Sequence, residues 1–155
     1  MDNHFLSPSI SMIKAVKRSS RSSSAVEDYL ERIQELINAK GYARTIDIAS
    51  SLGISQASVT NMVKRLDAEG FVKHERYRGL ILTQEGMAIA KAVSDRHRIL
   101  AEFLGLLGVS EAEVERDVEG MEHHLSVASL GAIKALCREL SLNRELRERI
   151  RISVD

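Results

Sequence analysis

The sequence predicts a mainly α-helical protein with one short β-hairpin, divided into two small domains. Three observations support this prediction. Apolar residues recur at three- and four-residue intervals through most of the chain from Ala25 onward, two strand-like segments lie between Gly70 and Thr83, and two capping-box patterns precede helical stretches. With 155 residues, 44% of them hydrophobic, the chain can build a core for one domain or two small ones.

The first predicted helix begins at the capping box Ser24–Glu27 and ends at Gly41. Asp28 and Glu31 are three residues apart on this helix, so their carboxylates are neighbours. Taken alone, such a pair is more simply explained as two solvated acids. The apolar residues that give the segment its helical spacing are Tyr29, Leu30, Ile33, Leu36 and Ile37.

The next segment has the spacing of a helix-turn-helix. Thr45 can cap a short first helix, Gly53 supplies the unusual backbone angles of the turn, and a second helix begins at Gln56. Ala49, near the middle of the first helix, is small enough to let the two helices approach. The outward-facing polar residues are of the kinds that contact base edges and phosphates in a major groove. These predicted DNA-binding residues are Ser55, Gln56, Ser58, Thr60, Asn61 and Lys64.

A β-hairpin follows, so that the pattern becomes a winged helix-turn-helix. Residues 71–76 and 80–83 are interpreted as two short strands, with Gly79 free to adopt a positive φ in the turn. Lys73, Arg76 and Arg78 add positive charge at this wing, which suits flanking phosphates or the minor groove. For any one of these residues, solvation of the hairpin explains the charge nearly as well.

The second half of the chain is predicted to be helical throughout. A long helix runs from Glu85 to about Leu107, a second capping box at Ser110 opens another, and two more cover residues 126–140 and 143–152. His97 lies on the apolar stripe of the long helix, where a lone histidine is more often a core residue than a ligand. The predicted domains are a winged helix-turn-helix at 25–92 and a helical domain for dimerisation and metal binding at 93–155.

The formal net charge of zero hides a local asymmetry. Residues 1–24 are rich in serine and carry +3, whereas residues 98–124 carry −5. We interpret residues 1–24 as a mobile arm that either touches DNA or only solvates the chain. The lone Cys137 sits in an apolar helical pattern and is predicted to be a buried hydrophobic residue. Without a membrane-length or signal-type apolar run, the protein is expected in the cytoplasm.

The octapeptide 117–124, Asp-Val-Glu-Gly-Met-Glu-His-His, holds the densest group of potential metal ligands. On a helix, Glu119, Glu122 and His123 stand at i, i+3 and i+4, and one ion could touch all three. Oxygen ligands suit Mn(II), an imidazole is tolerated by several divalent metals, and the absence of thiolates weakens the case for Zn(II) or Cu(I). An ordinary solvated acidic face is the alternative, and the octapeptide alone does not decide between them.

Several separated motifs make residues 27–130 resemble the manganese transport regulators, the two-domain branch of the diphtheria toxin repressor family. The resemblance covers about two thirds of the chain. The motifs are Glu27–Glu31, Lys40–Arg44, Ser58–Leu66, Tyr77–Leu80, Arg96–His97 and Asp117–Leu125. Two features depart from the family pattern: the basic arm is longer than in the shortest regulators, and the last helix has no motif that can be aligned.

The resemblance implies that six side chains bind two adjacent metal ions, with ligands from both halves of the chain. Iron-responding members of the family differ at two of these positions, where they carry methionine and cysteine instead of the oxygen donors Asp28 and Glu119. Hard oxygen donors favour Mn(II) over Fe(II). The implied ligands are Asp28, Glu31, His97, Glu119, Glu122 and His123.

The implied function is a Mn(II)-activated regulator that binds palindromic promoter DNA as a homodimer and represses manganese uptake, with activation of efflux as a further option. Four carboxylates repel one another in an empty site, so bound cations are expected to tighten the protein and fix its reading helices. An Fe(II)-responsive repressor of the same family and a metal-independent winged-helix regulator are the alternatives. The chain lacks the ligand motifs of common metalloenzymes, so we do not expect an enzyme.

Overall fold

The computed structural model describes residues 23–77 and 79–152, and the chain divides into two compact units with the boundary between Ala92 and Val93. The predicted arm lies outside the described residues except for Ser23 and Ser24, and so does Arg78. The mainly α prediction, with one hairpin wing, is confirmed. The elements are α1 Ser24–Lys40, α2 Thr45–Leu52, α3 Gln56–Ala68, β1 Val72–Glu75, β2 Gly79–Leu82, α4 Gln84–Leu106, α5 Glu111–Met121, α6 Val127–Leu142 and α7 Arg144–Ile152.

Helix α1 packs its apolar face into the core of the first unit and ends as predicted. Gly41 adopts a left-handed φ of 80°, and its N–H donates to the Ile37 carbonyl at 2.8 Å. The predicted capping box is wrong. Ser23 is the N-cap and its side chain makes no capping hydrogen bond, whereas Glu27 is buried with only 4% of its surface exposed. The box failed because the apolar face of α1 turns Glu27 toward the interior.

Helices α2 and α3 form the predicted helix-turn-helix. Ala49 is buried where the two helices approach, and Gly53 has a left-handed φ of 65° in the turn. Ser55 caps α3, since its hydroxyl oxygen accepts from the Ser58 N–H at 3.2 Å. Thr45 does not cap α2: the N-cap is Arg44, and Thr45 is the first residue inside the helix.

The wing is an antiparallel hairpin that is joined to a third segment of chain. Val72 pairs with Leu82 and Glu75 with Gly79, so Gly79 is the first residue of β2 and not a turn residue as predicted. The Leu80 N–H donates to the Ala43 carbonyl at 2.8 Å. A Cβ atom on Gly79, whose φ is 74°, would lie 2.3 Å from the Ala43 oxygen. Only glycine fits here, because both the backbone angle and the space exclude a side chain.

Thr83 connects the wing to α4. Its hydroxyl accepts from the Gly86 N–H at 3.1 Å, as an N-cap does, and donates to the Gly70 carbonyl at 2.7 Å. Gly86 then packs directly on the hairpin, since a Cβ atom there would lie 2.1 Å from the Phe71 oxygen. These contacts fix the start of α4 against the first unit.

The second unit packs the later part of α4 with α5, α6 and α7. Buried Leu100, Val114 and Val118 form the centre of its apolar cluster. The predicted capping box at Ser110 is wrong in its bonding, because the Ser110 hydroxyl donates to the Glu113 carboxylate at 2.8 Å and makes no capping bond to the backbone. Cys137 is buried as predicted. No helix in the described part of the chain is long and apolar enough to cross a membrane.

Candidate metal centre and nucleic-acid interface

Three of the predicted metal ligands come together in the second unit. His97 lies on α4, Glu119 on α5 and Glu122 directly after α5, and one ligand atom from each lies within 4.8 Å of the others. Nδ1 of His97 is 3.1 Å from Oε2 of Glu122. One imidazole and two carboxylates at this spacing form a donor set that suits a single hard or borderline divalent cation.

Glu122 is the most buried ionisable group of this centre, with 2% of its surface exposed. Desolvation raises the pKa of its carboxyl, the nearby imidazoles of His97 and His123 lower it, and Glu119 raises it further. The net shift is upward, so the charges now present do not fully compensate for burial. A bound cation would supply the missing positive charge, and the residues therefore fit a metal ion.

The end of α5 decides how the acidic octapeptide is arranged. The helix ends at Met121, but Glu122 keeps helical backbone angles and its N–H donates to the Val118 carbonyl at 3.0 Å. Glu119 and Glu122 therefore share one face, as the spacing predicted. His123 lies in the turn that follows the helix, so its i+4 place on that face stays a prediction. Its Nε2 is nevertheless 3.6 Å from Oε1 of Glu122.

The two remaining predicted ligands lie in the first unit. Asp28 and Glu31 are three residues apart on α1, and both side chains are half-buried. Each of them already takes part in a polar or electrostatic interaction within the protein. Their assignment as ligands, like that of His123, stays a prediction.

The predicted DNA-contacting residues occupy the N-cap and exposed face of α3. The hydroxyls are partly engaged within the helix: Ser55 and Ser58 bond to each other at 2.9 Å, and Thr60 donates to the Gln56 carbonyl at 2.8 Å. Among the described residues, the side chains of Asn61 and Lys64 make no hydrogen bond or ion pair, and the same holds for Gln56. All six predicted residues of this helix and its cap are exposed: Ser55, Gln56, Ser58, Thr60, Asn61 and Lys64.

The wing adds exposed charge beside α3. Arg76 is exposed, with its guanidinium carbon 5.7 Å from the centre of the Tyr77 ring. A cleft of about 210 Å³ between α3 and β1 is lined by Lys64, Lys73 and His74. His74 is not among the residues that the sequence predicts for the interface, because only the folded hairpin brings β1 alongside α3.

Comparison with known proteins shows the family to which both units belong. The family model of the iron dependent repressor N-terminal DNA binding domain matches residues 22–80, and that of the iron dependent repressor metal binding and dimerisation domain matches residues 83–149. The chain belongs to the iron dependent repressor family. It therefore has a DNA-binding domain followed by a domain for metal binding and dimerisation.

Within this family, the chain is similar to proteins named HTH-type transcriptional regulator MntR. The protein from Lysinibacillus sphaericus (strain C3-41) is 42% identical over 129 residues, which cover 83% of this chain and 93% of the relative. The protein from Bacillus subtilis (strain 168) is 48% identical over 109 residues, or 70% and 77% of the two chains. These comparisons confirm the predicted resemblance to the manganese transport regulators.

Solved structures show the same fold in longer chains. The manganese regulator SloR superposes with a TM-score of 0.65 and 27% identity, over 73% of this chain and 53% of SloR. A manganese-dependent transcriptional repressor in complex with manganese gives a TM-score of 0.62 and 29% identity, over 72% of this chain and 52% of that one. This chain thus spans about half the length of these two solved proteins.

Proposed function

We propose that this protein is a Mn(II)-activated transcriptional regulator that binds palindromic promoter DNA as a homodimer and represses manganese uptake genes. The observation that carries the proposal is the close grouping of His97 and Glu119 with the buried carboxylate of Glu122. The three residues lie in the region that matches the metal binding and dimerisation domain of the family. Relatives named MntR and solved manganese regulators support manganese as the metal. A cytoplasmic location is part of the proposal, since such a regulator acts on genomic DNA.

The proposed metal ligands are chemically consistent with Mn(II). Four carboxylates and two imidazoles offer oxygen and nitrogen donors and no thiolate. The only cysteine, Cys137, is buried in α6 and donates to the Ile99 carbonyl at 3.9 Å. We propose two ions per subunit, with the ligands Asp28, Glu31, His97, Glu119, Glu122 and His123.

Activation by metal follows from where these ligands lie in the chain. Asp28 and Glu31 belong to α1, which packs against α2 and β2 within the DNA-binding unit. The other four proposed ligands belong to the dimerising unit. Metal binding would neutralise the carboxylates, and the cost of holding Glu122 charged in its buried position would fall. We propose that this shift favours the state in which two copies present their α3 helices to successive major-groove half-sites.

The DNA-contacting side chains divide into two proposed groups. Gln56, Ser58, Thr60 and Asn61 would carry base discrimination, and Gln56 and Asn61 are the stronger candidates because their amides are not already bonded within the described part of the chain. Phosphate contacts would come from the cations of α3 and the wing. These are Lys64, Arg76 and Arg78, with Ser55 at the cap of α3 as a further contact.

A gel-shift titration with a promoter fragment tests the proposal. The metal-free protein should bind weakly, Mn(II) should restore tight binding, and Glu122→Ala should abolish the response. Asp117→Ala is the matched control: Asp117 is exposed, lies two residues before Glu119, and so points away from the centre. Tight binding without metal would support the metal-independent alternative, and activation by Fe(II) in preference to Mn(II) would support the iron-responsive one.

A further inference from the structure

A cavity lies in the helical unit between α4 and α6, and none of its lining residues belongs to the candidate metal centre. Its volume is about 350 Å³, which is at the lower end of the range of pockets that hold small molecules, roughly 300–1,000 Å³. Helix α4 contributes Arg98 and Glu102 to its wall, and α6 contributes Lys134 and Arg138. None of these side chains belongs to the proposed metal or DNA sites.

The wall of this cavity carries excess positive charge. Three cations face one carboxylate, which leaves a formal charge of +2. Arg98 is only loosely paired, at 3.8 Å from Asp95 and 3.9 Å from Glu102. Lys134 and Arg138 are one turn apart on α6 and have no ion pair or hydrogen bond among the described residues. Like charges four residues apart on a helix repel each other, so an anion between them would be stabilising.

The floor of the cavity is formed by two buried, apolar side chains. Ile99 and Cys137 line it and are 6% and 3% exposed. The Cys137 thiol donates to the Ile99 carbonyl at 3.9 Å, which links α6 to α4. A ligand that fits both surfaces has a short carbon body against the floor and anionic groups toward the rim.

We propose that this cavity binds a small organic dianion through Arg98, Lys134 and Arg138. A guanidinium holds a carboxylate or phosphate with two parallel hydrogen bonds, whereas the Lys134 ammonium acts as a point charge. Divalent cations are excluded as ligands here, because the wall already carries excess positive charge. The site shares no residue with the proposed manganese centre, and its ligand would give the regulator of the proposed function a second chemical input.

Calorimetric titration of the full-length protein tests the site. The probes are succinate for carboxylates, glycerol phosphate for phosphates, and neutral succinamide as a control of the same length. We expect saturable binding of one anion per chain, no binding of succinamide, and weaker binding as salt rises. The double variant Lys134→Gln, Arg138→Gln should bind about tenfold or more weakly, because two charge-assisted contacts are removed. Arg144→Gln on α7 is the control, since Arg144 is exposed and does not line the cavity.

Two further measurements keep the outcome specific to this cavity. The backbone amide of Gly131 lines the cavity, and its NMR signal should shift with the bound anion in the native protein and in Arg144→Gln, but not in the double variant. Circular dichroism checks that the double variant is folded. The proposal is overturned if neither anion binds saturably at millimolar concentration, or if the folded double variant binds as well as the native protein. It is also overturned if the double variant changes only the monomer–dimer equilibrium, since a second copy would then cover this face.

Discussion

Nδ1 of His97 lies 3.1 Å from Oε2 of Glu122, and this contact joins the long helix α4 to the end of α5. It also puts a titratable ring against a carboxylate that is 2% exposed. Replacing Glu122 with a neutral side chain should therefore affect two quantities differently. The stability of the metal-free protein should not fall, whereas the stabilisation by the metal ion that Glu122 holds should be lost.

We predict that Glu122→Gln leaves the free energy of unfolding of the metal-free protein unchanged or raised, because the amide has no buried charge to desolvate. With Mn(II) about 100-fold above its dissociation constant, the native protein should gain about 2.7 kcal/mol for each ion bound, and the variant should lose the gain from the ion that Glu122 holds. Denaturant unfolding with and without Mn(II) measures both quantities. Asp117→Asn should behave as the native protein, and a variant that retains the full Mn(II) gain would remove Glu122 from the ligand set.

Gly79 in the wing is predicted to be essential for two reasons, its left-handed backbone angle and the lack of space for a side chain. Two other glycines allow these two effects to be measured separately. Gly41→Ala introduces only a left-handed φ, since nothing lies within 4 Å of the added Cβ, and should cost about 1–2 kcal/mol. Gly86→Ala introduces only the clash with the Phe71 carbonyl and should cost about 1–3 kcal/mol. Gly79→Ala combines both effects and should be the least stable of the three in urea unfolding. Equal losses for Gly79→Ala and Gly41→Ala would show that the hairpin can shift away from Ala43.

Base reading and phosphate binding should respond differently to mutation. We predict that Asn61→Ala loses about 1–3 kcal/mol of discrimination at one operator position. Lys64→Ala should weaken all sequences alike and reduce the slope of log affinity against log salt by about 1, and Arg78→Ala should do the same. Fluorescence anisotropy on operator and scrambled DNA at several salt concentrations measures both effects. If Lys64→Ala changed operator preference at an unchanged salt slope, its assignment to phosphate would be wrong.

Metal selectivity is predicted to depend on Asp28. The usual order of divalent affinities puts Mn(II) below Fe(II), so affinity alone does not produce a manganese response, and geometry and the number of bound ions must decide. Replacing the hard carboxylate by a thioether in Asp28→Met should let Fe(II) activate DNA binding more readily. Anaerobic binding titrations with each metal compare the two proteins. Equal activation of the native protein by both metals would falsify manganese specificity and leave metal dependence intact.

Cys137 should be chemically inert in the folded protein near neutral pH. Burial, with a smaller contribution from Glu102, raises the pKa of its thiol above the ordinary value. The folded state therefore favours the neutral thiol, and the stability from this effect is present below the ordinary thiol pKa and lost as pH rises past it. A disulfide reagent should label Cys137 at pH 7 far more slowly than in denaturant. Equally fast labelling in both states would show that α6 opens readily.

The local pattern of the sequence was sufficient to predict the type and order of the elements. Apolar spacing and the glycines at 41 and 53 predict α1, α2 and α3 almost to their ends, because these signals act within one or two turns of chain. Details that depend on neighbours in space were predicted wrongly. Glu27 has the spacing of a capping residue but is buried. Gly79 lies in a stretch of turn-like sequence, but it pairs with Glu75 in the hairpin and packs closely against Ala43.

In the candidate metal centre, too, the sequence predicts the relations between near neighbours in the chain and not those that depend on packing. Spacing alone put Glu119 and Glu122 on one helical face, since the i, i+3 relation is local and persists where α5 ends. His97 is 25 residues away from Glu122 in the chain, and spacing gave no reason to prefer a ligand over a core histidine. Only the packing of α4 beside α5 brought its ring to the buried carboxylate. Burial of Glu122, which makes a cation favourable there, is likewise a property of the tertiary structure, because desolvation depends on every element that covers the group.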